Sequence, residues 1–75
     1  MRNELRQLRL LRGWTQQELG TRVGTSRQAI IAIENGKFDP SLPLAIRLSR
    51  VLQKPIEEMF FLDEQPWQSN SRTAG

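Results

Sequence analysis

Residues 16–33 read QQELGTRVGTSRQAIIAI, and the spacing of their glycines and apolar residues decides the fold. Two helices that cross at a steep angle need a small residue at their closest approach, a place that Gly20 fills. Gly24 can adopt the left-handed conformation that ends a helix in a tight turn. Ile30 and Ile33 give the following helix an apolar inner face. The stretch therefore predicts two short helices joined by a tight turn.

Capping residues predict where these two helices begin. Thr15 and Glu18 have the spacing of a capping box, in which the Thr15 hydroxyl accepts the amide of residue 18 and the Glu18 carboxylate accepts the Thr15 amide. Thr25 or Ser26 caps the next helix. The inward side of that helix holds Ala29, Ile30 and Ile33, and its outward side holds Arg27, Gln28, Ile31, Ala32 and Asn35. The second helix of the pair is thus predicted to have one free face.

The rest of the chain continues the helical periodicity. A first helix precedes Gly13, a fourth follows a turn at residues 39–41, and a short fifth starts at Pro55. Residues 60–67 could pair as a short strand with the N-terminus or with a partner. We expect an all-α, five-helix domain. It covers residues 1–64, including a C-terminal dimerisation helix, and a polar, partly disordered tail covers residues 65–75.

The composition narrows the possible functions. The chain has 75 residues, enough for one small domain, and a net charge of +3. Residues 1–54 hold ten Lys or Arg against four Asp or Glu, a balance that suits a polyanionic partner but would also serve solubility alone. The chain has no Cys and no His, so we expect no enzyme, metal or cofactor. Without an apolar run of about 18 residues or a signal-peptide core, we expect a cytoplasmic protein.

Several further runs of sequence resemble one known family. Residues 12–19, RGWTQQEL, are similar to its RGLTQEEL run, and residues 26–30 (SRQAI), 33–38 (IENGKF) and 55–60 (PIEEMF) follow in the family's order. Over residues 4–62 the chain therefore resembles the Cro/cI-type, or XRE, helix-turn-helix regulators of bacteria and phages. The resemblance implies a λ-repressor-like domain of five helices that binds operator DNA, usually as a homodimer. In that family the third helix enters the major groove and the second lies across the DNA backbone.

The outward face of the third helix is where the resemblance places base recognition. The base-reading candidates are Ser26, Arg27, Gln28, Ile31 and Ala32. Arginine can pair with guanine O6 and N7, and glutamine with adenine N6 and N7. Ile31 and Ala32 depart from the polar residues frequent in the family and suit contacts with thymine methyl groups. A solvated helix face with scattered apolar residues, capped by Ser26, would explain the same pattern.

The phosphate-binding candidates lie at the two ends of the motif and are Gln16, Gln17, Asn35 and Lys37. In the family, the glutamine at the position of Gln16 contacts a phosphate at the start of the second helix, where free amides favour an anion. The family also uses the amides and the lysine of the loop after the third helix. Gln16 and Gln17 could instead be solvated, and Asn35 with Gly36 also suits a helix C-terminal cap. We expect Phe38 to pack under this loop. Four further arginines could add contacts to the DNA backbone, but a solvated helix face explains each of them better: Arg2, Arg6, Arg12 and Arg22.

Two charged residues have an expected structural role. Arg9 shares a helix face with Leu5 and Leu8, and a charge on a core face needs a partner. In the family the matching arginine forms a partly buried ion pair with the glutamate at the position of Glu34. The resemblance therefore implies an Arg9–Glu34 ion pair between the first and third helices. Trp14, at a position where the family has leucine, is expected in the core.

The C-terminal part has more apolar surface than one short helix can bury. Ile56 and Met59 are expected to close the core, and Phe60 could join them. The dimer-interface candidates are Phe60, Phe61, Leu62 and Trp67, because aromatic residues and methionine are enriched at interfaces. Two-fold symmetry would then set two recognition helices about 34 Å apart, one turn of DNA.

These observations favour a sequence-specific regulator of transcription, most simply a repressor that binds an inverted-repeat operator as a homodimer. The expected partners are double-stranded DNA and a second copy of the chain, in a bacterial or phage-encoded protein. The alternative is an antitoxin-type module that binds a partner protein through its C-terminal aromatic segment and also regulates its own promoter. A small enzyme is rejected, because no nucleophile–base pair can be assembled.

Overall fold

Residues 1–62, the part that the computed structural model describes, form helices around one core with a small sheet beside them. The α-helices are α1 (Leu5–Leu11), α2 (Gln16–Val23), α3 (Arg27–Glu34) and α4 (Leu42–Leu52), followed by one 3-10 turn at Ile56–Glu58. Strands β1 (Arg2–Asn3) and β2 (Phe60–Phe61) pair antiparallel, with Arg2 opposite Phe61 and Asn3 opposite Phe60. The predicted helical fold with a central helix–turn–helix is confirmed. No helix in this part of the chain has the length and apolar character needed to cross a membrane.

The expectation of five α-helices is wrong, because the segment after Pro55 makes only a single 3-10 turn. Three residues, Ile56–Glu58, separate Pro55 from Met59, and the Met59 carbonyl already accepts the Glu4 amide at 2.9 Å. Because the chain joins the sheet at Met59, too few residues follow Pro55 to form a longer helix. The short strand considered for residues 60–67 is present at Phe60–Phe61, and it pairs with the N-terminal strand β1.

The hydrophobic core collects the inward faces of all four helices and the closing C-terminal segment. Its buried side chains are Leu5, Leu19, Val23, Ile30, Ile33, Leu44, Leu48, Leu52, Met59 and Phe60. Ile56 packs against this cluster from a half-buried position. Each fully buried aliphatic or aromatic side chain contributes roughly 1.5–3 kcal/mol, so this cluster is the main source of the stability. It holds α2 and α3 together as a unit.

Side-chain caps fix the first residue of α2, α3 and α4. The capping box at α2 is present: the Glu18 amide donates to the Thr15 hydroxyl at 3.0 Å, and the Thr15 amide donates to Glu18 Oε1 at 2.7 Å. Ser26, rather than Thr25, caps α3 by accepting the Ala29 amide at 3.1 Å. Ser41 caps α4 in the same way. Each cap satisfies a backbone donor that the helix itself leaves free, which sets where the recognition surface begins.

Two glycines shape the turn between α2 and α3, each for a different reason. Gly24 has a φ of +75°, the left-handed conformation that was expected to end α2. Gly20 is needed for space, because a Cβ atom there would lie 2.8 Å from the Thr25 carbonyl oxygen. The Thr25 amide also donates to the Gly20 carbonyl at 2.8 Å. The close approach predicted at Gly20 is therefore made to the backbone of the turn.

Gly20→Val is expected to lower the free energy of unfolding by about 1–3 kcal/mol, because the added side chain would push the turn away from α2. Urea unfolding followed by circular dichroism measures the change. Thr21→Val is the matched control: it places valine on the exposed neighbour in the same helix and is expected to stay within about 0.5 kcal/mol of wild type. Equal stability of Gly20→Val and the control would contradict the tight contact.

Candidate nucleic-acid interface

The outward face of α3 begins with two free polar side chains. Arg27 and Gln28 occupy the first turn, both are exposed, and neither makes a side-chain hydrogen bond or ion pair with residues 1–62. Ser26 lies just before them, and its oxygen accepts the Ala29 amide while its own hydroxyl hydrogen stays available. The beginning of α3 thus offers an arginine, a glutamine and a hydroxyl to a ligand.

Ile31 and Ala32 lie one turn further along α3, three to five residues after Arg27 and Gln28. Helical spacing places Ile31 on the same side as this polar pair. Both apolar residues are half-buried rather than exposed, which differs from the solvent-facing position that the helical wheel indicates. The Lys37 amide donates to the Ala32 carbonyl at 2.9 Å, so the chain folds back over the end of the helix. The remaining accessible part of each side chain is apolar.

The glutamines at the start of α2 have different surroundings. Gln16 is half-buried, and its Nε2 donates to Glu34 Oε1 at 3.2 Å. Gln17 is exposed and makes only a long contact, 3.4 Å from its Nε2 to the Thr21 hydroxyl. Gln16 is therefore held by α3, whereas the side chain of Gln17 bonds only within its own helix. An amide carries two N–H groups, so Gln16 keeps one for a further acceptor.

The loop after α3 differs from what the resemblance implies. Its backbone amides are already used: Asn35 donates to Ile31, Gly36 to Ile33 and Lys37 to Ala32, at 2.9–3.0 Å. These amides are not free to bind a phosphate, so only the exposed side chains of Asn35 and Lys37 remain for that purpose. Gly36, with a φ of +74°, lets the chain make this closed turn.

A buried ion pair connects α1 with α3. Arg9 Nε donates to Glu34 Oε2 at 2.6 Å and Arg9 Nη2 donates to Glu34 Oε1 at 3.2 Å, while Nη1 donates to the Trp14 carbonyl at 2.8 Å. The Arg9 and Glu34 side chains are 8% and 3% exposed. Burying two charges is costly unless their hydrogen-bonding groups are satisfied, and within residues 1–62 no buried side-chain polar atom lacks a partner. The pair therefore fixes how the outward face of α3 is presented.

Comparison with known proteins identifies the group to which this arrangement belongs. Residues 5–59 match the helix-turn-helix family. An uncharacterized HTH-type transcriptional regulator of Methanothermobacter thermautotrophicus is 51% identical over 65 residues, 85% of this chain and 94% of that protein. An uncharacterized HTH-type transcriptional regulator of Archaeoglobus fulgidus is 44% identical over 68 residues, 89% of this chain and 97% of that protein. The chain belongs to the XRE-type helix-turn-helix family.

Solved structures of similar proteins agree with this membership. The restriction-modification controller protein C.AhdI of Aeromonas hydrophila is 30% identical, with a TM-score of 0.67 that covers 75% of this chain and 81% of that one. A hypothetical transcription factor from Neisseria has the same TM-score at 19% identity and supports the fold alone. XRE-type proteins are transcriptional regulators with a DNA-binding fold, and this chain has that fold. These similarities do not favour the alternative of an antitoxin-type module.

Trp14, which replaces the family's leucine, lies at the edge of the core and not inside it. It is half-buried, and its ring is 4.2 Å from the Arg22 guanidinium and 5.6 Å from that of Arg12. Arg12 also donates to the Leu52 carbonyl at 2.8 Å and so connects α1 to the end of α4. The prediction of a solvated role missed these contacts, because residue spacing alone does not show that two arginines flank one indole ring. Cation–π contacts of this kind stabilise a surface aromatic residue.

Phe38 and the dimer-interface candidates within residues 1–62 differ in how much of their surface is exposed. Phe38 was expected beneath the loop after α3 but is 48% exposed. Phe60 is 8% exposed and belongs to the monomer's own core, so it has little surface to offer a partner. Phe61 is half-buried with the Arg2 guanidinium 5.7 Å from its ring, and Leu62 is 61% exposed. Trp67 lies outside the described residues.

Glu34→Gln is expected to lower the free energy of unfolding by about 3 kcal/mol, because the Arg9 charge would stay buried without its counter-charge. The double variant Arg9→Met/Glu34→Leu removes both charges and is expected to recover most of that loss. Urea unfolding followed by circular dichroism compares them. A double variant no more stable than Glu34→Gln would show that the unpaired charge is not the cause.

Proposed function

We propose that this protein is a sequence-specific double-stranded DNA-binding regulator, a repressor that binds an inverted-repeat operator as a homodimer with α3 in the major groove. The observation that carries the proposal is the free Arg27–Gln28 pair on the first turn of α3, held on a helix whose orientation the Arg9–Glu34 pair fixes. The names of similar proteins support a role in transcription. C.AhdI is a restriction-modification controller protein, and the two relatives from archaea are named as transcriptional regulators. Such a protein acts in the cytoplasm, where the DNA is.

Base recognition would follow from the chemistry of the α3 face. Arg27 can donate two hydrogen bonds to guanine O6 and N7, and Gln28 can both donate to and accept from adenine. Ser26 can donate to a base or a phosphate. Ile31 and Ala32 would contact thymine methyl groups further along the groove. The α3 face is thus suited to a mixed site that contains guanine, adenine and thymine.

Backbone binding would use side chains on either side of α3. Gln16 and Gln17 at the start of α2, and Asn35 and Lys37 after α3, carry N–H groups that would donate to phosphates. Of the carboxylates near these side chains, Glu34 is paired with Arg9 and Asp39 lies 3.4 Å from the N-terminal ammonium, whereas Glu18 keeps its charge and accepts the Thr15 amide. The cations that would face DNA in this proposal are Arg27 and Lys37.

Binding selection from random duplex DNA with the purified protein, followed by sequencing, is the primary test. We expect an inverted repeat with half-sites about one helical turn apart. If the dimer neutralises about eight phosphates, the logarithm of the affinity should fall against the logarithm of the salt concentration with a slope near −7. No enrichment above weak, salt-sensitive binding would contradict the proposal.

Arg27→Ala is expected to cost about 1–3 kcal/mol of operator binding and to relax the preference at one position of each half-site. Lys37→Ala is the matched control for a phosphate contact. It should weaken binding to all sequences alike and make the salt slope shallower by about 0.9 per protomer, or roughly 1.8 for the dimer. Fluorescence anisotropy with the selected operator and with single-base variants measures both effects. An equal loss for Arg27→Ala on every sequence would rule out base reading by this residue.

Leu62→Ser is expected to weaken the proposed homodimer, because Leu62 is a dimer-interface candidate that no other described residue covers well. Sedimentation equilibrium without DNA measures the dimer dissociation constant. Leu11→Ser, at an 83% exposed position on α1, is the control and should leave that constant unchanged. Phe60 is avoided because its substitution would disturb the core. Equal dissociation constants for wild type and Leu62→Ser would place the interface elsewhere.

A further inference from the structure

A recess of about 380 Å³ lies where α1, the start of α2 and the end of α3 meet. Its lining is polar and consists of Arg6, Arg9, Thr15, Gln16, Glu34 and Asn35. Gln16 and Asn35 are the phosphate candidates on two sides of it. The third side comes from α1, for whose Arg6 the sequence favours a solvated position over a contact with the DNA backbone.

The one carboxylate in this lining is already neutralised. Glu34 accepts Arg9 Nε on one oxygen at 2.6 Å, and it accepts both Arg9 Nη2 and Gln16 Nε2 on the other at 3.2 Å. With its side chain only 3% exposed, it presents almost no negative surface to the recess. An anion entering here would meet donors and not a free carboxylate.

Arg6 is the cation that remains available at this recess. It is exposed on α1 and makes no hydrogen bond or ion pair with residues 1–62. A guanidinium presents several N–H donors in one plane and can bind two oxygens of a phosphate at once. On the adjoining walls, the second N–H of the Gln16 side-chain amide and the side-chain amide of Asn35 are further donors.

We propose that Arg6 binds a DNA backbone phosphate in this recess, together with Gln16 and Asn35. The inference rests on the proposed DNA-binding function and adds α1 to the interface. A solvated helix face explains Arg6 best from the sequence alone, since nothing in the spacing of α1 places it beside α2 and α3. Arg9, five-sixths of a turn later, is less suited to this role, because its side chain is only 8% exposed and three of its five N–H groups donate to Glu34 and Trp14.

The test compares Arg6→Gln and Arg6→Lys with wild type in full-length protein, using fluorescence anisotropy from about 50 to 300 mM salt. Two duplexes of equal length are used, the selected operator and an unrelated sequence. Arg50→Gln is the control, since Arg50 is also exposed and lies on α4 away from the recess. Thermal unfolding of each variant establishes that the fold is kept, as expected for an exposed side chain without partners.

We expect Arg6→Gln to make the salt slope shallower by about 0.9 per protomer and to weaken binding to both duplexes by the same factor. Arg6→Lys should keep the wild-type slope, because it keeps the charge, and Arg50→Gln should match wild type. An unchanged slope for Arg6→Gln, or a loss confined to the operator, would overturn this inference and leave the proposed function standing. If wild type bound neither duplex, the proposed function itself would fail, and this inference with it.

Discussion

The buried ion pair between Arg9 and Glu34 is the interaction on which the rest of the interface depends. Taking both charges out of water costs several kcal/mol each, so the pair persists only because its geometry satisfies nearly every donor and acceptor. Its effect is to fix positions: α1 is joined to α3, and through Gln16 the start of α2 is joined to both. An apolar contact in the same place would hold the helices together without fixing their rotation.

The turn between α2 and α3 supplies the second constraint. This turn and the ion pair fix different aspects of how α3 is placed. Gly20 lets the backbone of the turn approach within a distance that no Cβ would allow, which sets the crossing of the helices. The ion pair then sets the rotation of α3 about its own axis, with Ile30 and Ile33 fully buried on the inner side. Within residues 1–62, Arg27 and Gln28 make no side-chain hydrogen bond or ion pair, because other residues hold α3 in place. A recognition surface of this kind can change its side chains at little cost in stability.

The sequence predicts the parts of this structure that depend on local chemistry. The capping box at Thr15, the left-handed Gly24 and the buried faces of α2–α4 all follow from spacing and are found as expected. The features that were missed depend on how side chains are arranged in three dimensions, which residue spacing does not give. The contacts of Arg12 and Arg22 with the Trp14 ring and the exposure of Phe38 are of this kind. The family resemblance, and not the spacing, implied the partner of Arg9.

The length of α3 supports the proposal that two copies of the chain bind DNA together. Eight helical residues extend about 12 Å, which corresponds to roughly four base pairs along the groove. A site of four base pairs recurs about once in every 256, far too often to be singled out among the roughly 10⁶ or more competing sites of a genome. Two such helices on a symmetric operator would read about eight positions, and each added phosphate contact, including one from Arg6, would strengthen binding without changing that specificity. The proposed homodimer would therefore supply sequence discrimination that a single α3 cannot, so in this proposal dimerisation is part of recognition.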